Sequence, residues 1–160
     1  MDPDDPVIRR AGAHDADSIA ELTRVAYTKW VPVIGRKPRP MTVDYAVAVT
    51  FHRFDLLYCS SSLAGLIETV AEGDCLLIEN VAVHPAFQGR GFGRALIAHA
   101  ERLAAGAGFG RVRLYTNKMF EVNIALYESL GFLIEREELL HDWALVHMSK
   151  PLPVSSSGDH

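Results

Sequence analysis

Glu79-Asn80-Val81-Ala82-Val83-His84-Pro85-Ala86-Phe87-Gln88-Gly89-Arg90-Gly91-Phe92-Gly93-Arg94 is the stretch whose reading decides the fold. A strand-like run ends at a proline, and three glycines at alternate positions, Gly89, Gly91 and Gly93, lead into a helix-like segment. Glycines so placed let the backbone come close to a ligand and let several N–H groups point the same way. The helix that begins there adds the positive end of its dipole, and Arg90 and Arg94 add formal charge. The pattern predicts a phosphate or pyrophosphate ligand. A plain turn, the competing reading, needs one glycine and has no use for two flanking arginines.

Two familiar phosphate loops fail on named positions. A P-loop requires Gly-Lys-Ser or Gly-Lys-Thr, where this chain has Gly93-Arg94-Ala95. A dinucleotide fingerprint requires Gly-x-Gly-x-x-Gly, but the sixth position is Arg94 counted from Gly89 and Leu96 counted from Gly91. The acidic residue it expects about twenty positions on is replaced by Gly110-Arg111-Val112-Arg113.

Upstream, residues 7–11 read as a first strand. Ile19, Leu22, Ala26 and Trp30 then recur at helical spacing, with Ser18-x-x-Glu21 as a capping box at the helix start. The proline-rich run 32–40 interrupts that helix, and residues 42–51 form a shorter one. Three strands follow at about 54–59, 63–70 and 75–83, joined by short turn-forming linkers that imply an antiparallel meander. Downstream, Leu96, Ala100, Leu103 and Ala107 share one face of the longest helix, which ends at Gly106 and Gly108. A strand at 111–116, a helix at 121–130 stopped by Gly131, and strands at about 132–140 and 143–149 complete the order βααβββαβαββ. This mixed order predicts an α/β (α+β) fold: one domain over residues 7–150, with a central mixed, largely antiparallel sheet flanked by about four helices. Residues 1–6 and 151–160 read as loose ends.

Composition narrows the partners. The chain has 160 residues, 49% hydrophobic and 22% charged, the make-up of one globular domain. A formal charge of −4 gives no electrostatic reason to expect nucleic acid, and the basic run Gly35-Arg36-Lys37-Pro38-Arg39-Pro40 reads as a solvated loop. No stretch approaches the roughly 20 apolar residues that span a bilayer, and the acidic start Met1-Asp2-Pro3-Asp4-Asp5-Pro6 is unlike a secretory signal. A cytoplasmic protein with no membrane partner is expected. Cys59 and Cys75 lack Cys-x-x-Cys or histidine spacing, so both read as small buried hydrophobes and no metal is expected.

Gln88-x-x-Gly91-x-Gly93, preceded by the strand 79–85, matches the pattern Gln/Arg-x-x-Gly-x-Gly/Ala. In this the sequence resembles the GCN5-related N-acetyltransferase (GNAT) family. A second landmark agrees: Ala125-Leu126-Tyr127-Glu128-Ser129-Leu130-Gly131-Phe132 looks like that family's tyrosine helix running into its Gly-Phe turn. The resemblance covers residues 7–150. It implies an acyl-CoA N-acyltransferase fold and an enzyme that passes an acetyl group from acetyl-CoA to a primary amine by direct attack in a ternary complex.

Residue roles follow from the same resemblance. Val81, Ala82 and Val83 would form the edge where the strand splays from its neighbour and backbone groups bind the pantetheine arm. Gln88, Gly89, Arg90, Gly91, Phe92, Gly93 and Arg94 would hold the pyrophosphate through backbone N–H groups. Tyr127 would give a proton to the departing thiolate, a general-acid role for its phenol; an ordinary core aromatic is the competing reading. The acceptor amine, mostly protonated at neutral pH, must first lose a proton. Glu79 is the candidate base, on the same strand face as Val81 and Val83, where related enzymes carry a Glu or His working through water. The alternative is a carboxylate that only pairs with an arginine or with the acceptor's charge. The sequence departs from the family where an Asn usually stands seven residues before the tyrosine: that position is Phe120, and Asn117 or Asn123 would make the cofactor contact instead.

The resemblance puts acceptor specificity in the first two helices, their connecting loop and the last strand pair. These offer Tyr27, Trp30, Arg36, Arg39, Asp44, Tyr45, His141 and Trp143, which suit a small polar amine. A protein N-terminus or lysine as acceptor, and a non-catalytic acyl-CoA binding module, are the alternatives. A homodimer is expected by analogy alone.

Overall fold

The computed structural model describes residues 5–153; residues 1–4 and 154–160, where most of the two expected loose ends fall, lie outside the described residues. In chain order the elements are β1 (Val7–Arg10), α1 (Ala16–Tyr27), α2 (Val31–Ile34), α3 (Tyr45–Phe51), β2 (Arg53–Cys59), β3 (Ser62–Glu72), β4 (Cys75–Val83), α4 (Phe92–Gly106), β5 (Arg111–Asn117), α5 (Glu121–Ser129), β6 (Leu133–Leu139) and β7 (Ala144–Pro151). The strands form one seven-stranded mixed sheet in the order β1-β2-β3-β4-β5-β7-β6. The α/β expectation stands, and the predicted order of elements holds once the single turn α2 is added. Two compact units are distinguished, one of the described residues up to Thr69 with Asn80–Ile97, the other of Val70–Glu79 with the described residues from Ala98 onward.

In the first unit, β1 pairs antiparallel with β2 from Val7↔Tyr58 to Arg10↔Asp55, and β2 pairs antiparallel with β3 across a register shift at Leu57/Tyr58. The apolar stripe of α1 packs on these strands: Ile19, Leu22 and Ala26 join Tyr45, Phe54, Leu56, Leu66 and Ala82 in one buried cluster. Burying each large aliphatic side chain of this kind contributes about 2 kcal/mol.

The start of α1 differs from the expected capping box. The helix begins at Ala16, and Glu21 pairs instead with Arg24, its carboxylate accepting at 2.6 and 3.0 Å on the exposed face. Asp15 precedes the helix without capping it, its side chain closing the 3-10 turn Ala13–Asp15 instead. Its buried carboxylate accepts from the Gly12 N–H at 2.9 Å and from both terminal nitrogens of Arg9 at 2.9 and 3.1 Å. Pro32 also behaves otherwise than expected: it occupies the first turn of α2, where its missing N–H costs nothing, and Gly35 at φ +76° closes that turn. The helix proper nevertheless stops at Tyr27, and Trp30 sits in a tighter 3-10 turn, Thr28–Trp30.

In the second unit, β4 and β5 run parallel through four residue pairs, Cys75↔Arg111 to Ile78↔Leu114. On the other side β5 pairs antiparallel with β7 from Arg111↔Pro151 to Asn117↔Leu145, and β7 with β6. Pro151 and Leu152, expected in the loose tail, are tied to these strands: Pro151 ends β7, and the Leu152 N–H donates to the Gly110 carbonyl at 2.9 Å. The buried side of α4 is also shifted from the expected one. Phe92, Leu96, Ile97, Ala100 and Ala104 are the buried residues, while Ala107 lies beyond the helix end and is exposed. Gly108 at φ +85° ends α4 as expected, its N–H bonding the Ala105 carbonyl.

Arg9, with the Gly12 amide assisting, holds the Asp15 carboxyl down at about 2, well below its ordinary value. A depressed folded value means stability that is present above about pH 4 and lost as pH falls toward 2. Asp15→Asn should cost about 1–2 kcal/mol at pH 7, discounted because Arg9 is 42% exposed, and much less at pH 2. Denaturant unfolding of both proteins at the two pH values checks this; an equal gap at both would remove the ionised pair as the cause.

Candidate functional site

The glycine loop belongs to the first unit. Along β4 the side chains alternate: Asn80 and Ala82 are buried, whereas Glu79, Val81 and Val83 are half-buried on the opposite face. His84 ends the strand and its Nδ1 accepts the Ala86 N–H at 3.0 Å, starting the 3-10 turn Pro85–Phe87. Gln88 ties the loop down on both sides, its Nε2 donating to the Val83 carbonyl and its Oε1 accepting from Lys29 Nζ, each at 3.3 Å. Gly89 and Gly91 then adopt φ +80° and +82°, and nothing lies within 4 Å of where a Cβ would stand on either. Their requirement for glycine is conformational, and the space beside them is open. Gly93 falls inside the first turn of α4 and does not share that conformation.

Arg90 projects from the same loop. Its guanidinium lies over the rings of Phe87 and Phe92, at 5.7 and 5.2 Å from their centroids, and among the described residues it has no carboxylate partner. The aromatic faces hold the cation while leaving its charge uncompensated. Open left-handed glycines, a helix N-terminus and an unneutralised arginine together fit a pyrophosphate.

Tyr127 and Glu79 belong to the second unit. Tyr127 lies in the last turn of α5, and the chain closes that helix with a Schellman motif. The Phe132 N–H donates to the Tyr127 carbonyl at 3.0 Å, the Gly131 N–H donates to the Glu128 carbonyl at 3.1 Å, and Gly131 sits at φ +99°. Such caps carry an apolar contact between the residues Tyr127 and Phe132 occupy, and the two rings meet edge to face at 6.1 Å. The tyrosine and the Gly-Phe turn are thus one mechanical unit. The phenol is only partly accessible, and burial pushes it up to about 12. Among the described residues its hydroxyl has no hydrogen-bond partner, so it is a neutral phenol with its proton undirected.

Glu79 stands one residue beyond the last parallel pair of β4 and β5. Its Oε1 accepts a short 2.5 Å hydrogen bond from the Tyr115 hydroxyl. Behind Tyr115, on the paired position of β7, the buried His147 ring lies 5.7 Å away, and His147 Nε2 is 2.8 Å from Glu138 Oε1. Sequence reasoning missed Tyr115 and His147. Strand alternation put Tyr115 on one face of β5, but only the β4–β5 register brings it to Glu79.

The other expected site residues are placed as follows. Asn117 is buried, and its Oδ1 accepts the Met119 N–H at 2.9 Å, shaping the turn that carries Phe120 into α5. Phe120 is buried as well, its N–H bonding the Asn117 carbonyl, while Asn123 is half-buried one turn before Tyr127. Asp44 and Tyr45, expected near the acceptor, are structural: Asp44 caps α3 by accepting the Ala46 N–H, and buried Tyr45 donates to the Pro40 carbonyl at 2.6 Å and packs on Phe54. Tyr27 donates toward Asn80 Oδ1 at 2.5 Å and the Val81 carbonyl at 3.1 Å. Arg36 and Arg39 are exposed, and Lys29 covers the Trp30 ring. His141 and Trp143 lie in the β6–β7 hairpin, where the Leu140 N–H donates to the Trp143 carbonyl. Cys59 and Cys75 are buried free thiols, no metal-binding cluster occurs among the described residues, and no helix is long and apolar enough to cross a membrane.

A mixed seven-stranded sheet with this order of elements is the acyl-CoA N-acyltransferase fold. Its likeness to solved structures is extensive: the PaiA N-acetyltransferase of Thermoplasma acidophilum, solved in complex with coenzyme A, aligns with a TM-score of 0.78 at 18% identity over 92% of this chain and 99% of that one. The ribosomal-protein-S18-alanine N-acetyltransferase of Escherichia coli aligns with a TM-score of 0.77 at 21% identity, over 95% and 97% of the two chains. In sequence, the uncharacterized N-acetyltransferase YjgM of Escherichia coli (strain K12) is 28% identical over 148 residues, 81% of this chain and 83% of the relative. The model of the Acetyltransferase (GNAT) family matches residues 21–132, more than half of the chain. The chain belongs to the GNAT acetyltransferase family.

Because no atom crowds a Cβ at Gly91, Gly91→Ala tests the backbone alone. It should lower stability by about 1 kcal/mol, the cost of holding an L-residue in the left-handed region, read as a shift in the thermal midpoint. An unchanged midpoint would mean the loop relaxes to another conformation.

Proposed function

We propose that this chain, acting as one domain over residues 7–150, is an N-acetyltransferase that moves the acetyl group of acetyl-CoA to a primary amine of a small molecule by direct attack. The observation that carries this reading is the Tyr127 phenol: protonated up to about pH 12, without a hydrogen-bond partner among the described residues, and fixed by the cap that joins it to Phe132. The Tyr127 side chain is half-buried, which leaves the hydroxyl available to a ligand rather than to a neighbour in the fold. A phenol that keeps its proton undirected suits an acid awaiting a base that appears only in the reaction.

The roles assigned to the chain's residues follow. Backbone N–H groups from Gln88 to Arg94, with the Arg90 charge, hold the pyrophosphate of acetyl-CoA, and the backbone of Val81, Ala82 and Val83 takes the pantetheine arm. Asn123 is the favoured second contact, since the Asn117 side-chain oxygen is already engaged. Glu79 accepts a proton from the acceptor ammonium, directly or through water, which frees the nitrogen lone pair to form the new C–N bond as the C–S bond breaks. Tyr127 gives its proton to the departing thiolate and regains, through solvent, the second proton that the nitrogen loses as the amide forms. The sum is one amide, one thiol and one proton released per acetyl moved.

Tyr127→Phe should bind coenzyme A with unchanged affinity and lose roughly 10²-fold in turnover, measured by thiol release from acetyl-CoA across a panel of small amines, amino acids and peptides. Full turnover in the variant would remove the acid role. Activity confined to peptides would replace the small-molecule acceptor with a protein one, and coenzyme A affinity with no turnover on any acceptor would leave a binding module. Gly91→Val should weaken coenzyme A binding at least tenfold by calorimetry, since its side chain blocks backbone approach. Undiminished affinity would move the pyrophosphate elsewhere.

A further inference from the structure

Lys29 reaches the glycine loop from 59 positions away in the chain. It stands in the 3-10 turn Thr28–Trp30 that follows α1, and its Nζ donates to Gln88 Oε1 at 3.3 Å. Both residues belong to the first unit. Gln88 is thereby engaged at both ends of its carboxamide, because its Nε2 donates to the Val83 carbonyl, also at 3.3 Å. An amide bound on both sides has one orientation left. It fixes the ammonium at the residue next to Gly89, where the open left-handed backbone begins.

The charge at this point is uncompensated. Among the described residues Lys29 has no carboxylate partner: its contacts are a neutral amide and the face of Trp30, whose centroid lies 5.4 Å from Nζ. Lys118 and Lys150, by contrast, are matched by Glu137 and Glu101. An ammonium has three donors, and the amide takes one. Arg90 is held in the same manner, over Phe87 and Phe92 and without a carboxylate. Two cations therefore border one loop, each anchored by neutral groups. The pattern Gln/Arg-x-x-Gly-x-Gly/Ala gives the lysine its place. An arginine at position 88 would bring its own cation to the start of the loop. Glutamine brings none, but its Oε1 is an acceptor that arginine lacks, and that acceptor holds Lys29.

We infer that Lys29 is a second cationic contact for the diphosphate of the cofactor: Gln88 presents the ammonium, and the lysine supplies the charge that glutamine leaves out of the pattern. The inference rests on the reading of the loop from Gln88 to Arg94 as the pyrophosphate site. The chemistry recognised is a diphosphate ester, not the 3′-phosphate at the far end of coenzyme A. Lys29 and Gln88 are both exposed, so the contact is a screened surface ion pair, worth roughly 5-fold in affinity at low salt.

The experiment is calorimetric titration of the full chain with coenzyme A and with dephospho-coenzyme A, which keeps the diphosphate and lacks the 3′-phosphate. Lys29→Gln should weaken both ligands by the same factor, roughly 5-fold at low salt, and the gap from the native chain should close in about 1 M salt. Lys29→Arg should keep the native affinity. Adding Gln88→Arg to Lys29→Gln should recover affinity, because it returns a cation to the loop from the neighbouring position. No loss in Lys29→Gln, a loss that salt does not narrow, or no recovery in the double variant would overturn the inference. A loss confined to coenzyme A would overturn it as well, by assigning the lysine to the 3′-phosphate. Gly91→Val separates this failure from that of the underlying reading. Weakened binding there with none in Lys29→Gln removes the lysine alone, whereas undiminished binding there removes the loop as the diphosphate site and the inference with it.

Discussion

Four residue pairs of parallel ladder, Cys75↔Arg111 to Ile78↔Leu114, are the constraint on which the functional part of the molecule depends. Parallel neighbours cannot be joined by a hairpin; they need a crossover of a dozen or more residues, usually a helix. Here that crossover is the segment from His84 to Gly110, and it carries the glycine loop at its beginning and α4 along its length. The loop therefore lies at the carboxyl end of β4 and the amino end of a fifteen-residue helix, where backbone donors and helix dipole both favour an anion. An antiparallel turn after Val83 would have offered neither.

The brevity of that ladder matters as much as its direction. Both strands outrun it, and the side chains that follow the last pair, Glu79 and Tyr115, are bonded to each other. On the remaining sheet of the second unit the pairing is fuller: β5 and β7 share seven residue pairs, which fixes His147 beside Tyr115. A rigid antiparallel strand thus steadies one flank of β5 while the other flank carries the proposed base and its phenol.

Much of this was legible in the letters, and the misses have physical causes. The glycines at 89 and 91 announced a loop that a ligand can approach closely, and both stand, with open space beside them, in the left-handed region that L-side chains avoid. Leu130-Gly131-Phe132 announced a helix stop for the same reason, and the structure adds that the stop is a Schellman cap whose apolar contact is Tyr127 itself. By contrast Ser18-x-x-Glu21 matched a capping box and is none, since the helix already begins at Ala16, behind a turn held by the buried Asp15 with Arg9 and Gly12. Local pattern lost there to a contact six residues away. The family resemblance put Asp44 and Tyr45 among the acceptor contacts; in the structure one caps α3 and the other is a core hydroxyl bonded to Pro40.

The sequence by itself determined which backbone positions must be glycine, the order of strands and helices, and the two motifs that place the chain in its family, because these depend on local sterics and on periodicities of two and 3.6 residues. Tertiary structure alone decided the partners. Which phenol meets Glu79, which ring backs that phenol, which rings hold Arg90, and whether the Tyr127 hydroxyl is bonded or left with its proton all depend on strand register, helix ends and burial. Those are set by contacts between residues far apart in the chain, such as the 36 positions between Glu79 and Tyr115, and no local pattern encodes them.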